Sequence, residues 1–235
     1  MFEQKVRVGM GHIGPDNLLK LGPAVDFLQN ASWFQMDTEA AILDYFVQHG
    51  LNMYLVSRQV EISRLPAYGE ELTLKAWIYG CDRRFGLRNT VMYDSSGELC
   101  MATSATGAFI NLQSGHGAKI SEEAVGLLNS KPMFPMDVQP RKIAIPSVEP
   151  RVFAPLEVLS YHLDSFQHMN NARYVDMASS CLPEGFAPRR MRMEYKRPAT
   201  LGQNVVPHLY KDSSERLVLT LNGPDGICCS LEFLA

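Results

Sequence analysis

Two ionisable side chains, Asp164 and His168, stand four residues apart in the segment 164–171, which reads DSFQHMNN. A carboxylate or an imidazole in such a segment can activate water for attack on a carbonyl carbon. Asn170 or Asn171 can cap a helix that begins here, and the backbone N–H groups at a helix start can stabilise an oxyanion. The segment therefore contains the residue types that hydrolysis at a carbonyl carbon needs.

The same residues also have a purely structural interpretation. Asp and Asn are common caps before helices, and a single His is usually a polar surface or core residue. Alignment of the two halves of the chain shifts the balance, because it places Asn17 opposite Asp164 and Leu21 opposite His168. The first half is therefore predicted to build the same helix without the acid or the imidazole, which favours a chemical role in the second half.

That alignment comes from an internal repeat, which predicts two copies of one structural unit. Three pairs of segments match in the same order: residues 27–32 with residues 174–179, residues 60–64 with residues 193–197, and Gly69 with Gly202. Each match alone could be chance. Their shared order, a helix and then a strand, makes duplication the better explanation.

Each unit is predicted to contain a helix followed by antiparallel strands, because apolar residues recur first at helical spacing and then in β-branched and aromatic runs. In the first unit we predict a strand over 2–8, helices opening at 21–23 and over 40–48, and strands over 54–62, 71–79, 85–93 and 99–111. In the second we predict a strand over 157–161, a helix over 171–181, and strands over 189–195, 204–210, 216–221 and 227–233. This order indicates an α+β fold in which each sheet wraps around a helix.

The predicted boundaries divide the chain into a first unit over residues 1–114, a linker over 115–150 and a second unit over 151–235. Ser121 is predicted to cap a short helix in the linker. Five prolines follow and predict an extended crossing segment: Pro132, Pro135, Pro140, Pro146 and Pro150.

Composition narrows the classes of function. The net charge of −3 over 235 residues offers no electrostatic reason to bind nucleic acid, although an acidic carrier protein could still dock on a local basic patch. No apolar run approaches the roughly 20 residues that cross a bilayer, and residues 1–8 alternate like a strand rather than forming a signal-peptide core. The five cysteines and the histidines lack metal-ligand spacing, so we expect a cytoplasmic protein with free thiols and no metal.

Three motifs carry a resemblance to a known family. Segment 164–171 resembles the D-x-N-x-H-V-N-N motif of plant and bacterial acyl-ACP thioesterases. Residues 82–88 (DRRFGLR) are similar to the family's D-R-x-F-x-L-R segment, and residues 194–197 (EYKR) to its E-Y-[RK]-[RK] strand. The resemblance covers nearly the whole chain. It implies a double hotdog fold of two tandem repeats, hydrolysis of fatty acyl-ACP, no metal and no cofactor.

The resemblance also implies that the N-terminal hotdog holds the acyl chain while the C-terminal one carries the chemistry. Asp164 is then the base or water-orienting group, and His168 with the helix N-terminus polarises the thioester. Two places depart from the family. Phe166 stands where the family has Asn, and Pro198 and Ala199 stand where it has an acid and, in plants, a Cys. Phe166 cannot form the hydrogen bonds of an Asn side chain, and Pro198 removes a candidate base.

Four further residues are predicted to bind the substrate. Asn170 and Asn171 lie at the helix start, and Arg83 and Arg84 could meet the phosphate of a phosphopantetheine arm or the acids of a carrier protein. The solvated face of a strand explains the two arginines equally well.

The predicted function is hydrolysis of fatty acyl-ACP or acyl-CoA thioesters by a monomer or homodimer. A first alternative is a non-catalytic acyl-thioester binding protein whose catalytic set decayed when Phe166 and Pro198 arose. A second is a hotdog dehydratase acting on acyl-ACP, which is weaker because the motif match is to the thioesterases. Thiol release, binding without turnover, and a new conjugated double bond distinguish the three.

Overall fold

The computed structural model describes residues 1–211 and 213–235. The chain divides into two compact units. Unit 1 comprises Met1–Leu19 and Phe27–Val138, and unit 2 comprises Lys20–Asp26 and Gln139–Ala235. Residues 115–138 of the predicted linker therefore belong to unit 1, and residues 139–150 belong to unit 2.

Unit 1 is built on an antiparallel sheet with the strand order β1-β3-β4-β5-β2. Its strands are β1 (Phe2–Arg7), β2 (Leu51–Ile62), β3 (Glu71–Cys81), β4 (Phe85–Tyr93) and β5 (Leu99–Asn111). Its helices are α1 (Leu21–Asp37), whose first six residues belong to unit 2, α2 (Ala40–Gln48) and α3 (Glu122–Gly126).

One face of the unit 1 sheet packs against α1. Arg88 donates to the carbonyl oxygen of Ser32 at 2.6 Å, and the hydroxyls of Ser32 and Thr90 are hydrogen-bonded at 2.8 Å. Because side chains alternate along a strand, the fully buried Met92 lies on the same face as Arg88 and Thr90. The helix and this face together form the interior of the unit.

The opposite face of this sheet is covered by the proline-rich segment. The indole N–H of Trp77 donates to the carbonyl of Pro132 at 2.9 Å, and the backbone N–H of Phe134 donates to the Asn89 side chain at 2.8 Å. Phe134 also packs beside Trp77. The predicted cap is confirmed upstream, where the Ser121 hydroxyl accepts the backbone N–H of Ala124.

Unit 2 repeats this plan with shorter elements, in the strand order β8-β11-β10-β9-β6, with β7 also paired to β9. Its strands are β6 (Arg151–Val152), β7 (Leu156–Glu157), β8 (Arg190–Tyr195), β9 (Asn204–Lys211), β10 (Arg216–Gly223) and β11 (Gly226–Leu234). Its helix α4 (Asn171–Ser179) packs against β10 and β11. The predicted α+β class is confirmed. None of the helices in the described residues is long and apolar enough to cross a membrane.

The predicted strand over 157–161 is wrong in its extent. The strand is only Leu156–Glu157, and a short 3-10 turn, Ser160–His162, follows it. The imidazole Nδ1 of His162 accepts the backbone N–H of Leu159 at 3.0 Å. This hydrogen bond stabilises the turn, and the chain leaves the extended conformation there.

The alignment of the two halves used an offset of 147 residues, from Asn17 to Asp164, and this offset is wrong. The 3-10 turns begin at Met10 and Ser160, and the left-handed residues are Asn17 (φ 65°) and Gln167 (φ 61°), so the structural offset is 150 residues. Asp164 therefore corresponds to Gly14, and His168 corresponds to Leu18. Unit 1 still lacks an acid and an imidazole at these two positions.

Candidate active site

Helix α4 begins at the cap that the sequence predicted. The side chain of Asn170 accepts the backbone N–H of Ala172 at 2.9 Å, so Asn170, and not Asn171, is the N-cap. The backbone carbonyl of Asn170 accepts the N–H of Arg173 at 2.9 Å. Because this cap already engages the N–H groups of Ala172 and Arg173, neither is free to serve as a dedicated oxyanion donor.

Asp164 and His168 face each other across the base of a narrow loop. The backbone N–H of Asp164 donates to the carbonyl of His168 at 2.8 Å, and Leu163 and Met169 form an antiparallel bridge next to this pair. The spacing of four residues could not show this backbone pairing, which the loop closure establishes. The two side chains therefore start from neighbouring backbone positions just before α4.

The Asp164 carboxylate closes the loop with one oxygen and leaves the other available. Its Oδ1 accepts the backbone N–H of Phe166 at 2.9 Å and that of His168 at 3.4 Å. Among the described residues, Oδ2 has no hydrogen-bond donor and the His168 imidazole has no hydrogen-bond partner. Asp164 and His168 are both half-buried. A fixed carboxylate with one open oxygen and a nearby imidazole with open nitrogens can contact water and a carbonyl group.

The position of the family's Asn lies at the exposed tip of the same loop. Phe166 is 42% exposed, and the following residue, Gln167, adopts the left-handed conformation that few non-glycine residues adopt. Asn17 has this conformation at the equivalent place in unit 1. The tip therefore has the same turn in both units, and in unit 2 it carries the Phe166 ring at the position where the family motif has Asn.

The second departure also lies against the site. Ala199 is fully buried, and its carbonyl accepts the backbone N–H of Met169 at 2.8 Å. Its own N–H donates to the Tyr174 hydroxyl at 2.8 Å. Pro198 is exposed beside it. The structure thus brings the segment that lacks the family's acid into direct contact with the loop that carries Asp164 and His168.

The remaining predicted residues divide between the units. Asn171 lies in the first turn of α4, where its carbonyl accepts the Tyr195 hydroxyl at 3.3 Å. Arg83 and Arg84 lie in unit 1, in the turn between β3 and β4. Arg83 donates to the carbonyl of Ile120 at 2.9 Å and forms an exposed ion pair with Glu122, whereas Arg84 is exposed. Their role in substrate binding stays a prediction.

Helix α4 is fixed to the start of α1 within unit 2 by a charged cluster. The Arg173 guanidinium contacts the carboxylates of Asp26 and Asp176. A Cβ atom at Gly22 would lie 1.8 Å from an Asp176 carboxylate oxygen, so only glycine permits this approach. Burial raises the pKa of Asp176.

His162 was not among the residues predicted for the site. Its Nδ1 holds the 3-10 turn before the Asp164 loop, and its carbonyl accepts the N–H of Asn170 at 2.8 Å. His12 does the same in unit 1, where its Nδ1 accepts the N–H of Gly9 at 2.9 Å. His12 and His162 are 150 residues apart, which is the offset between the two units, and this spacing is the signal that would have identified them.

Lowering the pH is expected to destabilise unit 2 through His162. Burial and the nearby Arg173 guanidinium lower the pKa of His162 below its usual 6.5, because both disfavour the charged imidazole. The unfolded chain then binds a proton before the folded one does. The free energy of unfolding therefore decreases as the pH falls through 6.5. It stops decreasing once the pH is below the pKa of His162 in the folded protein.

The matched variant is His162→Asn, since the amide oxygen can accept the Leu159 N–H but does not titrate. We would measure urea unfolding free energies at about pH 7.5 and about pH 5.5, where the wild-type protein should lose more stability than the variant. Equal losses in the two proteins would show that His162 does not carry this pH dependence.

Within the described residues, no group of three or more His, Cys, Asp or Glu side chains is placed to hold a metal ion. The chemistry offered by the loop before α4 is that of a carboxylate, an imidazole and a helix start.

Two sequence models match the chain. The acyl-ACP thioesterase N-terminal domain matches residues 1–128, and the acyl-ACP thioesterase C-terminal domain matches residues 147–223. A palmitoyl-acyl carrier protein thioesterase of Arabidopsis thaliana is 22% identical and covers 84% of this chain. A dodecanoyl-[acyl-carrier-protein] hydrolase of Cinnamomum camphora is 21% identical and covers 86%. The chain spans only 52% and 57% of the lengths of these relatives.

Solved structures show the same fold. An acyl-ACP thioesterase from Bacteroides thetaiotaomicron matches with a TM-score of 0.89 at 18% identity, over 99% of this chain and 96% of that one. The 12:0-ACP thioesterase from Umbellularia californica matches with a TM-score of 0.86 at 15% identity, again over 99% and 96%. The predicted double hotdog fold is thereby confirmed.

Proposed function

Because the chain belongs to the acyl-ACP thioesterase family, we propose that it hydrolyses fatty acyl-ACP or acyl-CoA thioesters to a free fatty acid and the carrier thiol. The observation that carries the proposal is the closed loop before α4, which pairs the backbones of Asp164 and His168 and leaves a carboxylate oxygen and an imidazole open. The relatives' names support an acyl-ACP substrate.

In the proposed reaction, the Asp164 carboxylate orients a water molecule or accepts a proton from it. The water oxygen attacks the thioester carbonyl carbon, and the carbonyl oxygen becomes an oxyanion. His168 and the positive end of the α4 dipole stabilise this charge. The C–S bond then breaks, the carbonyl re-forms as a carboxylic acid, and the sulfur leaves as a thiol after taking up the proton.

In this scheme His168 contributes more than the α4 dipole to the polarisation of the thioester carbonyl. The cap at Asn170 already uses the N–H groups of Ala172 and Arg173, so those groups contribute only through the helix dipole. The open imidazole of His168 is the side-chain donor that can reach a developing charge.

Unit 1 is proposed to hold the acyl chain. Asn170 and Asn171 in unit 2 are proposed to bind the substrate. Arg83 and Arg84 in unit 1 are proposed to meet the phosphate of a phosphopantetheine arm or the acids of a carrier protein. The five cysteines are free thiols, and a cytoplasmic monomer or homodimer remains our proposal for where and how the protein works.

The test is thiol release from a panel of acyl-ACPs and acyl-CoAs of graded chain length, using the purified protein. Release of one free thiol per fatty acid is expected. Tight acyl-thioester binding without release would overturn the proposal in favour of a binding protein that lost its activity with Phe166 and Pro198. A conjugated double bond appearing in the acyl chain would indicate a dehydratase instead.

A further inference from the structure

Tyr174 joins the two parts of the candidate site. Its hydroxyl lies 2.8 Å from the backbone N of Ala199, at a separation of 25 residues along the chain. Tyr174 is 3% exposed and Ala199 is fully buried. A buried N–H that loses its acceptor costs free energy, so this hydrogen bond holds the chain at Ala199 in one place.

Ala199 transmits that position to the loop of Asp164 and His168. Its carbonyl accepts the N–H of Met169, the residue directly after His168, and Met169 in turn pairs with Leu163 across the base of the loop. A continuous path of hydrogen bonds therefore runs from the Tyr174 hydroxyl through the Ala199 peptide to the base of the loop. We call this path, made of Tyr174, Ala199 and Met169, the Ala199 clamp.

The Tyr174 ring is held independently of its hydroxyl. Its ring centre lies 5.8 Å from that of Tyr195 in an edge-to-face arrangement, and the Tyr195 hydroxyl donates to the carbonyl of Asn171. The Tyr174 hydroxyl is neutral at physiological pH, because burial raises its pKa above an ordinary value that is already well above 7, and its oxygen accepts the Ala199 N–H. Removing only the hydroxyl should therefore leave the ring in place and release the clamp.

We propose that Tyr174 is a positioning residue for thioester hydrolysis, which acts by fixing the Ala199 peptide against Met169 and thereby the orientation of His168 and Asp164. This inference rests on the proposed function. The segment at Ala199 would then contribute to the reaction through its two backbone hydrogen bonds, one to Tyr174 and one to Met169. Tyr174 itself need not touch the substrate.

The test is Tyr174→Phe. We expect kcat to fall by about tenfold or more, because small misplacements of reacting groups cost rate steeply. KM should stay within about twofold, since the clamp orients the reacting groups and does not bind the acyl chain. The lower kcat should persist well below the melting temperature of the variant, where the protein is fully folded. Amide hydrogen exchange should become faster at Ala199 and Met169, whereas exchange within α4 (Asn171–Ser179) should be unchanged.

The matched control is Thr220→Val, which also deletes one buried hydroxyl from unit 2 without changing side-chain size. The Thr220 hydroxyl accepts the Asn222 amide at 2.9 Å, and Thr220 points to the opposite sheet face from its neighbour Leu221, which pairs with Cys229. Its kcat should equal that of the wild-type protein.

Three outcomes separate the two proposals. A wild-type protein without thiol release overturns the proposed function itself. An active wild-type protein with an unchanged kcat in Tyr174→Phe overturns the positioning role alone. Equal losses of kcat in Tyr174→Phe and Thr220→Val would also overturn it, because they would reflect general destabilisation.

Discussion

Replacing Asp164 by asparagine is expected to lower kcat for acyl-thioester hydrolysis by about 100- to 10,000-fold, the range that general acid–base groups contribute. The Asn side chain keeps an oxygen that can accept the backbone N–H of Phe166, so the loop should retain its shape. It loses the negative charge that we propose activates water. We would measure thiol release at saturating substrate, together with the circular dichroism spectrum and the melting temperature.

The chain offers a matched control for this experiment in unit 1. Asp16 lies in the equivalent loop, where its carboxylate accepts the backbone N–H of Leu18 at 3.0 Å. Asp16→Asn therefore makes the same chemical change in the same kind of turn, and it should leave kcat unchanged. If Asp164→Asn retained the wild-type rate, and His168→Ala did so as well, the assignment of the catalytic pair would be wrong.

Replacing Glu232 by alanine is expected to lower the free energy of unfolding by about 3–5 kcal/mol, as when one partner of a buried ion pair is removed. Glu232 is only 5% exposed and lies between the guanidinium groups of Arg192 and Arg216. These two arginines also donate to the carbonyls of Pro140 and Ala144 and so hold the linker on unit 2. Without the carboxylate, two largely buried positive charges would lose their shared partner.

The control is Glu122→Ala in unit 1, where the ion pair with Arg83 is exposed and the glutamate side chain is 85% accessible. Such a surface pair contributes about 0–1 kcal/mol. Urea unfolding curves of both variants and the wild-type protein would measure the difference. If both variants lost a similar, small amount of unfolding free energy, the prediction would be wrong, and solvent would screen the Glu232 ion pairs as it screens surface pairs.

Local patterns predicted several elements with the bounds that the structure has. Helix α2 and strands β4 and β5 begin and end at the predicted residues. In these segments the apolar residues recur with a clear helical or strand period, and a residue that ends the element follows. Gly50, which follows α2 and adopts a left-handed φ of 59°, is such a residue. The signal and the structure both reside in neighbouring residues, so no long-range information was needed.

The offset of the repeat could not be obtained in the same way. A helix turns once in about 3.6 residues, so an alignment shifted by three residues still places apolar positions opposite apolar positions. The helical match therefore could not separate the assumed 147 residues from the 150 residues that the turns at Met10 and Ser160 establish. The unrecognised 3-10 turn also explains why a strand was predicted through Tyr161.

Local composition and spacing were enough to predict the α+β class, the duplication, the family resemblance and the residue types of the site. The folded structure was needed to show that the backbones of Asp164 and His168 are paired, that Asn170 is the cap, and that Ala199 is hydrogen-bonded to both Tyr174 and Met169. These contacts join residues that are brought together in two ways. The loop before α4 closes on itself, and the segment after β8 that contains Ala199 packs against the start of α4. Their partners are set by strand register and by buried donors that must find acceptors, and neither condition leaves a local pattern in the chain.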